Sequence, residues 1–181
     1  MRRSPSSTAE IIMRNYFHAK DENRPHLLNR VFTQDATLQV INNTATISFP
    51  SKSHGRDAIA DALVRGFGRT YENVYSFYMS RPQTPIAPFS CDWLVGMSEK
   101  SNRHVRVGCG RYDWAFEQVA PNLASRLVIT IDTMQVLPPD QLPAIMQWLQ
   151  RLAYPWTSPA AVMETAPGIG ALEPVLNLIA K

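Results

Sequence analysis

The sequence predicts an α+β chain: a cone-shaped, strongly curved antiparallel sheet packed on N-terminal helices, with a C-terminal helical extension. Three observations carry this. Apolar residues recur at helical spacing before residue 70; from Glu72 onward the period changes to two; and after Pro138-Pro139 a new helical stripe begins with Leu142, Ile145, Met146 and Leu149. With 45% hydrophobic residues over 181 positions, the chain can build one sizeable core that keeps a cavity inside it. Residues 1–137 are read as the cone and residues 138–181 as an extension of the same domain.

The first helix is predicted to start at a capping box, with Ser7 as N-cap and Glu10 three residues on, and to end between Lys20 and Asn23. It carries Ile12 and Tyr16 one turn apart, beside Ile11 and Met13. Pro25 opens a second helix at a position where a missing N–H is harmless, and Leu27, Leu28, Val31 and Phe32 form its stripe. Ala36 to Ile41 reads as a strand, Asn42-Asn43 as a turn and Thr44 to Phe49 as the returning strand of a hairpin. Pro50 to His54 reads as a polar loop. Gly55-Arg56-Asp57-Ala58-Ile59 then begins a helix with Ile59, Leu63 and Phe67 four apart.

In the first strand after Glu72, Tyr75, Phe77 and Met79 share one face and Ser76 and Ser80 the other. Pro82 to Pro88 is a loop. The next strand alternates cleanly, with Phe89, Cys91, Trp93, Val95 and Met97 against Ser90, Asp92 and Ser98. Arg103 to Glu117 is too long for a straight strand. Val105, Val107 and Cys109 have one parity and Tyr112, Trp114 and Phe116 the other, so a bulge at Gly108 and Gly110 is expected to bring all six to one face. Ser125 to Leu137 is apolar on both faces around Leu127 to Ile131, as in a doubly covered strand. A short helical pattern returns at Leu172 to Ile179.

The formal charge of +3 comes from 18 basic and 15 acidic residues scattered along the chain, and the one basic cluster is Arg2-Arg3, which argues against a nucleic-acid partner. Neither a signal peptide nor a membrane span is legible, so the chain is expected to be cytoplasmic, with no membrane partner. Cys91 and Cys109 lack metal-ligand spacing; His18, His26, His54 and His104 fall on different elements. There is no Gly-rich phosphate loop and no Gly-x-Ser-x-Gly elbow. Neither a metal nor a cofactor is expected.

Tyr16 on the first helix, Val31-Phe32-Thr33-Gln34-Asp35-Ala36-Thr37 at the passage into the first strand, and Gly55-Arg56-Asp57-Ala58-Ile59 at a helix start occur in an order that resembles the nuclear transport factor 2-like superfamily. This is the cone fold shared by ketosteroid isomerase and the SnoaL-like polyketide cyclases. The resemblance spans Thr8 to Leu137. It implies a pocket for a small apolar molecule and a homodimer, but no single reaction, because isomerases, cyclases, dehydratases and non-catalytic subunits all use the fold. In ketosteroid isomerase a tyrosine on the first helix donates to the developing enolate, and an aspartate in the first strand is the base. Tyr16 matches the donor position. Val40 stands at the base position and cannot take a proton, so that mechanism is not carried over.

Tyr16 is either a pocket donor or a core tyrosine bonded to a backbone carbonyl. Asp132 and Asp113 lie in strands that bury their surroundings, and each is either the missing base or a structural aspartate paired with Arg111 or Arg126. Parity turns Asp113 outward and ranks Asp132 above it. His54, just before Gly55, is either an acid/base group near the pocket mouth or a solvated loop histidine. Tyr75, Phe77, Trp93, Met97, Trp114 and Phe116 are expected to line the concave face. Cys91 and Cys109 are expected nearly opposite each other on paired strands. Two functions follow: proton-transfer chemistry of isomerase, cyclase or dehydratase type on an apolar substrate, or a non-catalytic binding or assembly module such as the structural subunits of ring-hydroxylating dioxygenases. Convergence of Tyr16 and a titratable partner on one cavity separates them.

Overall fold

The structure, a computed structural model, describes residues 8–181; Arg2, Arg3 and Ser7 lie outside them. Helix α1 (Ala9–Asp21) starts from Thr8, whose hydroxyl accepts the Ile11 N–H at 3.3 Å. Its inward face is Ile12, Met13, Tyr16, Phe17 and Lys20. The stripe at Leu27 and Leu28 forms a 3₁₀ turn (Pro25–Arg30) rather than an α-helix, because the chain turns out into strand β1 (Phe32–Asn42) at Phe32.

The expected hairpin does not form. Residues 43–49 are irregular and are held by side chains: the Asn42 amide donates to the Ile47 carbonyl at 2.7 Å and Thr46 Oγ1 to the Met134 carbonyl at 2.6 Å. The strand that pairs antiparallel with β1 is instead β2 (Lys52–His54), inside the stretch read as a loop. The β-branched run Thr44 to Ile47 gave a strand signal, but polar side chains satisfy its backbone in another way.

Gly55, at φ +87°, turns the chain into α2 (Arg56–Ala60), which passes through one π turn (Asp61–Arg65) into α3 (Gly66–Thr70). Strands β3 (Tyr71–Tyr78), β4 (Phe89–Glu99), β5 (Val105–Phe116) and β6 (Ala124–Leu137) follow as a meander. The sheet order is β2-β1-β6-β5-β4-β3. All neighbours are antiparallel except β1 and β6, which run parallel from Phe32/Ala124 to Asn42/Ile131, so the sheet is mixed. The helical crossover from β2 to the far edge causes this, since the meander then returns to β1 in β1's own direction.

Both faces of the sheet are covered. The concave face meets α1, α2 and α3 and forms one core. The convex face meets the extension: α4 (Leu142–Leu149), α5 (Pro159–Thr165), which the sequence did not signal, and α6 (Glu173–Ile179). This second core explains the double parity of β5. Val105, Val107 and Cys109 pack under the extension while Tyr112, Trp114 and Phe116 face the concave core, and β4–β5 register runs unbroken from Phe89/Trp114 to Ser98/Val105. The bulge lies on β6, where Asp132 is the extra residue opposite Cys109 and Gly110. Tyr75 and Phe77 likewise belong to the convex core, not the concave wall. Cys91 is concave and Cys109 convex, with Cys109 opposite Leu94, so these thiols do not face each other. Among the described residues no helix is long and apolar enough to cross a membrane.

Candidate functional site

The concave core is not filled. Between α1 and the sheet lies a small cavity of about 40 Å³, more than the roughly 10–15 Å³ one water needs and less than the roughly 150 Å³ that holds benzene, so an aromatic guest has to displace flexible wall side chains such as Met97 and Met134. Strand β1 contributes Val40 and β6 contributes Ile129, Ile131 and Met134; β4 contributes Trp93, Val95 and Met97. Leu63 and Phe67 close it from the helices, and Ile47 and Phe49 from the irregular loop. Two glycines of β5 make the room. A Cβ on Gly108 would lie 2.6 Å from Met134 Cε, and one on Gly110 would lie 2.8 Å from Trp93 Cζ2, so these two wall side chains lie where β5 lacks its own.

Three polar side chains reach this apolar wall: Tyr16 and Lys20, one turn apart on α1, and Tyr112 on β5. The Tyr16 ring is fixed by edge contacts to Phe32, Tyr112 and Trp114, with the Trp114 centroid 5.3 Å away. Its hydroxyl is buried without a well-formed hydrogen bond. Burial holds the phenol far above its ordinary pKa, and the Tyr112 hydroxyl, close by, offsets only part of this. The Trp93 indole N–H on the same wall is also buried and unpartnered. Such groups normally find a partner, so each is a donor in want of an acceptor.

Lys20 is 7% exposed, which is rare for a lysine and demands a partner. Its ammonium donates to Asp21 Oδ1 at 2.7 Å and to Ser76 Oγ at 2.8 Å, and lies 4.8 Å from the centre of the Phe67 ring. Ser76 in turn donates its hydroxyl to Asp21 Oδ1 at 2.8 Å and its backbone N–H to Oδ2 at 3.1 Å. Burial raises the Asp21 pKa, although Lys20 and Ser76 pull it down. The result is a buried, internally neutral Lys–Asp–Ser cluster with its lysine on the cavity wall.

Of the sequence candidates, Tyr16, Trp93 and Met97 line the cavity, and Val40 does too, placing an apolar residue at the expected base position. Trp114 and Phe116 lie in the same core; Trp114 braces Tyr16 and stacks on Phe116, but neither lines the cavity. Asp132 is exposed at the β6 bulge, and His54 is exposed on the edge strand in a shallow groove with Lys52 and Arg126, so neither reaches Tyr16. Asp113 is an outward aspartate 3.3 Å from Arg111 Nε. Burial pushes both thiols, Cys91 and Cys109, up to about 12, which keeps them protonated and inert. Among the described residues no three His, Cys, Asp or Glu side chains gather as a metal site.

Lys20, Asp21, Ser76 and Tyr112 were not singled out from the sequence. The spacing of Tyr16 and Lys20 was a usable signal, but a lysine in the last turn of a helix ordinarily serves the helix dipole in water.

No protein-family model matches the chain, and no curated protein matches it. Solved structures do. A nuclear transport factor 2-like superfamily protein from Salmonella enterica serovar Typhimurium LT2 superposes with TM-score 0.52 at 13% identity, covering 68% of this chain and 88% of that one. The chain has the nuclear transport factor 2-like fold. A hexachlorocyclohexane dehydrochlorinase, LinA type 2, superposes on this chain with TM-score 0.57 at 11% identity, covering 70% and 84%. A computationally designed 17-OHP binder superposes with TM-score 0.54 at 13% identity, covering 72% and 99%.

Proposed function

We propose that this chain binds a small apolar molecule bearing one hydrogen-bond acceptor and carries out proton-transfer chemistry on it, of isomerase, cyclase or dehydratase type. The observation that carries this is the buried Tyr16 hydroxyl on the wall of an apolar cavity, with the Tyr112 hydroxyl beside it but no well-formed hydrogen bond, one helical turn from Lys20 and its Asp21 partner. Tyr16 donates to the acceptor oxygen and stabilises charge developing there; the low-polarity wall makes that donation worth more than in water. The Lys20–Asp21 pair supplies the mobile proton, because burial brings the ionised and neutral forms of such a pair closer in energy. Solved structures of the same fold include a hexachlorocyclohexane dehydrochlorinase and a designed 17-OHP binder.

The assembly reading has less behind it. The broad apolar face of the sheet that a partner would cover is already buried under α4 and α6. Acetophenone and ethylbenzene test the proposal, since they have nearly the same shape and differ in the acceptor. The wild-type chain should favour acetophenone by about tenfold, the worth of one good hydrogen bond, and Tyr16→Phe should lose that preference while keeping its affinity for ethylbenzene. Equal affinity of the wild type for both compounds would contradict the proposal.

A further inference from the structure

We propose that Lys20 is a covalent site that captures apolar aldehydes and ketones as imines, a conclusion that rests on the cavity being a binding site. The sequence has four lysines: Lys20, Lys52, Lys100 and Lys181. Lys52, Lys100 and Lys181 are exposed, whereas Lys20 is buried and lines an apolar cavity. An amine on the wall of an apolar cavity is the kind that forms Schiff bases once its ammonium gives up a proton. The remaining requirement is a group to take that proton. Asp21 Oδ1 lies 2.7 Å from Nζ and is itself oriented by two hydrogen bonds from Ser76.

The step balances with nothing further. Asp21 takes a proton from the ammonium, the free amine adds to the carbonyl carbon, and a second proton passes from that nitrogen to the carbonyl oxygen, giving a neutral carbinolamine. Tyr16, one turn away on the same face of α1, is placed to donate to that oxygen. The carbinolamine nitrogen lone pair then expels the hydroxyl, which leaves as water with the proton Asp21 had taken. The product is a protonated imine in place of the ammonium. Charge is conserved: the iminium pairs with the Asp21 carboxylate as the ammonium did. The Phe67 ring, 4.8 Å from Nζ, faces either cation. A carbonyl compound with an apolar body fits this site better than a charged one, because the rest of the wall holds no other ion to neutralise it.

The test is trapping. The full chain is incubated with benzaldehyde and sodium cyanoborohydride, which reduces an iminium to a stable secondary amine, and the benzylated lysines are mapped by peptide mass spectrometry. Lys20 should carry the label about tenfold or more over each exposed lysine, as expected of an oriented bound pair. Lys20→Arg, which keeps a cation beside Asp21, should lose that label and retain the background at Lys52, Lys100 and Lys181. Label at Lys20 no greater than at the exposed lysines overturns the covalent step. If the acetophenone preference survives in that case, only the covalent step falls and the binding cavity stands; if it is absent too, both fall.

Discussion

At the scale of single residues, the site is defined by polar groups without water. Tyr16 and Asp21 make opposite predictions. The Tyr16 hydroxyl has no good partner, so Tyr16→Phe should leave stability within about 1 kcal/mol of wild type or raise it, as read by thermal or urea unfolding. Asp21 is different, because its removal strands the Lys20 ammonium in an apolar wall. Asp21→Ala should cost about 3–5 kcal/mol, the usual consequence of breaking a buried pair. Lys20→Met combined with Asp21→Ala should cost less than Asp21→Ala alone. If the double variant is the less stable of the two, the pair is not acting as a coupled unit. The sequence exposed Tyr16 and Val40 through their place in a familiar order of elements. It hid Lys20 because a charged residue reads as exposed unless its partner is visible, and that partner's companion, Ser76, is 55 residues from Asp21.

At the scale of elements, β5 makes the cavity by what it lacks. Its glycines suggest a bulge on the strand itself; what they provide is close approach to the neighbouring strand. A Cβ at Gly110 would meet the Thr130 carbonyl of β6, which is backbone and cannot rotate away, as well as Trp93. A Cβ at Gly96 would first meet the Leu149 side chain of α4, at its flexible Cδ1 end. Gly110→Ala should therefore destabilise by more than the roughly 1–3 kcal/mol typical of overpacking, and Gly96→Ala should stay within that range. Equal losses in urea unfolding would contradict this account of the sheet. The helices other than α5, and all four long strands of the meander, were legible from periodicity, although the stripe after Pro25 forms a 3₁₀ turn. The β2 strand was not, since a three-residue edge has no period, and the false strand at Thr44 to Phe49 arose from β-branched residues held by Asn42 and Met134.

At the scale of the whole molecule, the extension acts as the second half of a sandwich. The apolar parity of Val105, Val107 and Cys109 has no destination in a sheet that buries one face; the helices after Pro138 supply it. Those helices were legible as elements, from Leu142 to Leu149 and Leu172 to Ile179, but sequence periodicity does not say what an amphipathic helix covers. A chain ending at Leu137 would uncover Phe77, Leu94, Val105 and Val107 together, a patch of the kind that drives association. It should be larger per particle in light scattering, or bind a hydrophobic dye, where the full chain does neither. Identical behaviour of the two chains would show that the extension does not cover this face in solution.

All three scales meet at the cavity, and its location can be measured without choosing the natural ligand. A crystal of the full chain soaked with 4-bromoacetophenone carries a bromine whose anomalous signal marks its position. The bromine is expected against Met97, Met134 or Phe67, with the carbonyl oxygen at hydrogen-bond distance from Tyr16 Oη or the carbonyl carbon joined to Lys20 Nζ. Bromine found only on the outer surface, with the space between Tyr16, Val40 and Trp93 unchanged, would contradict it.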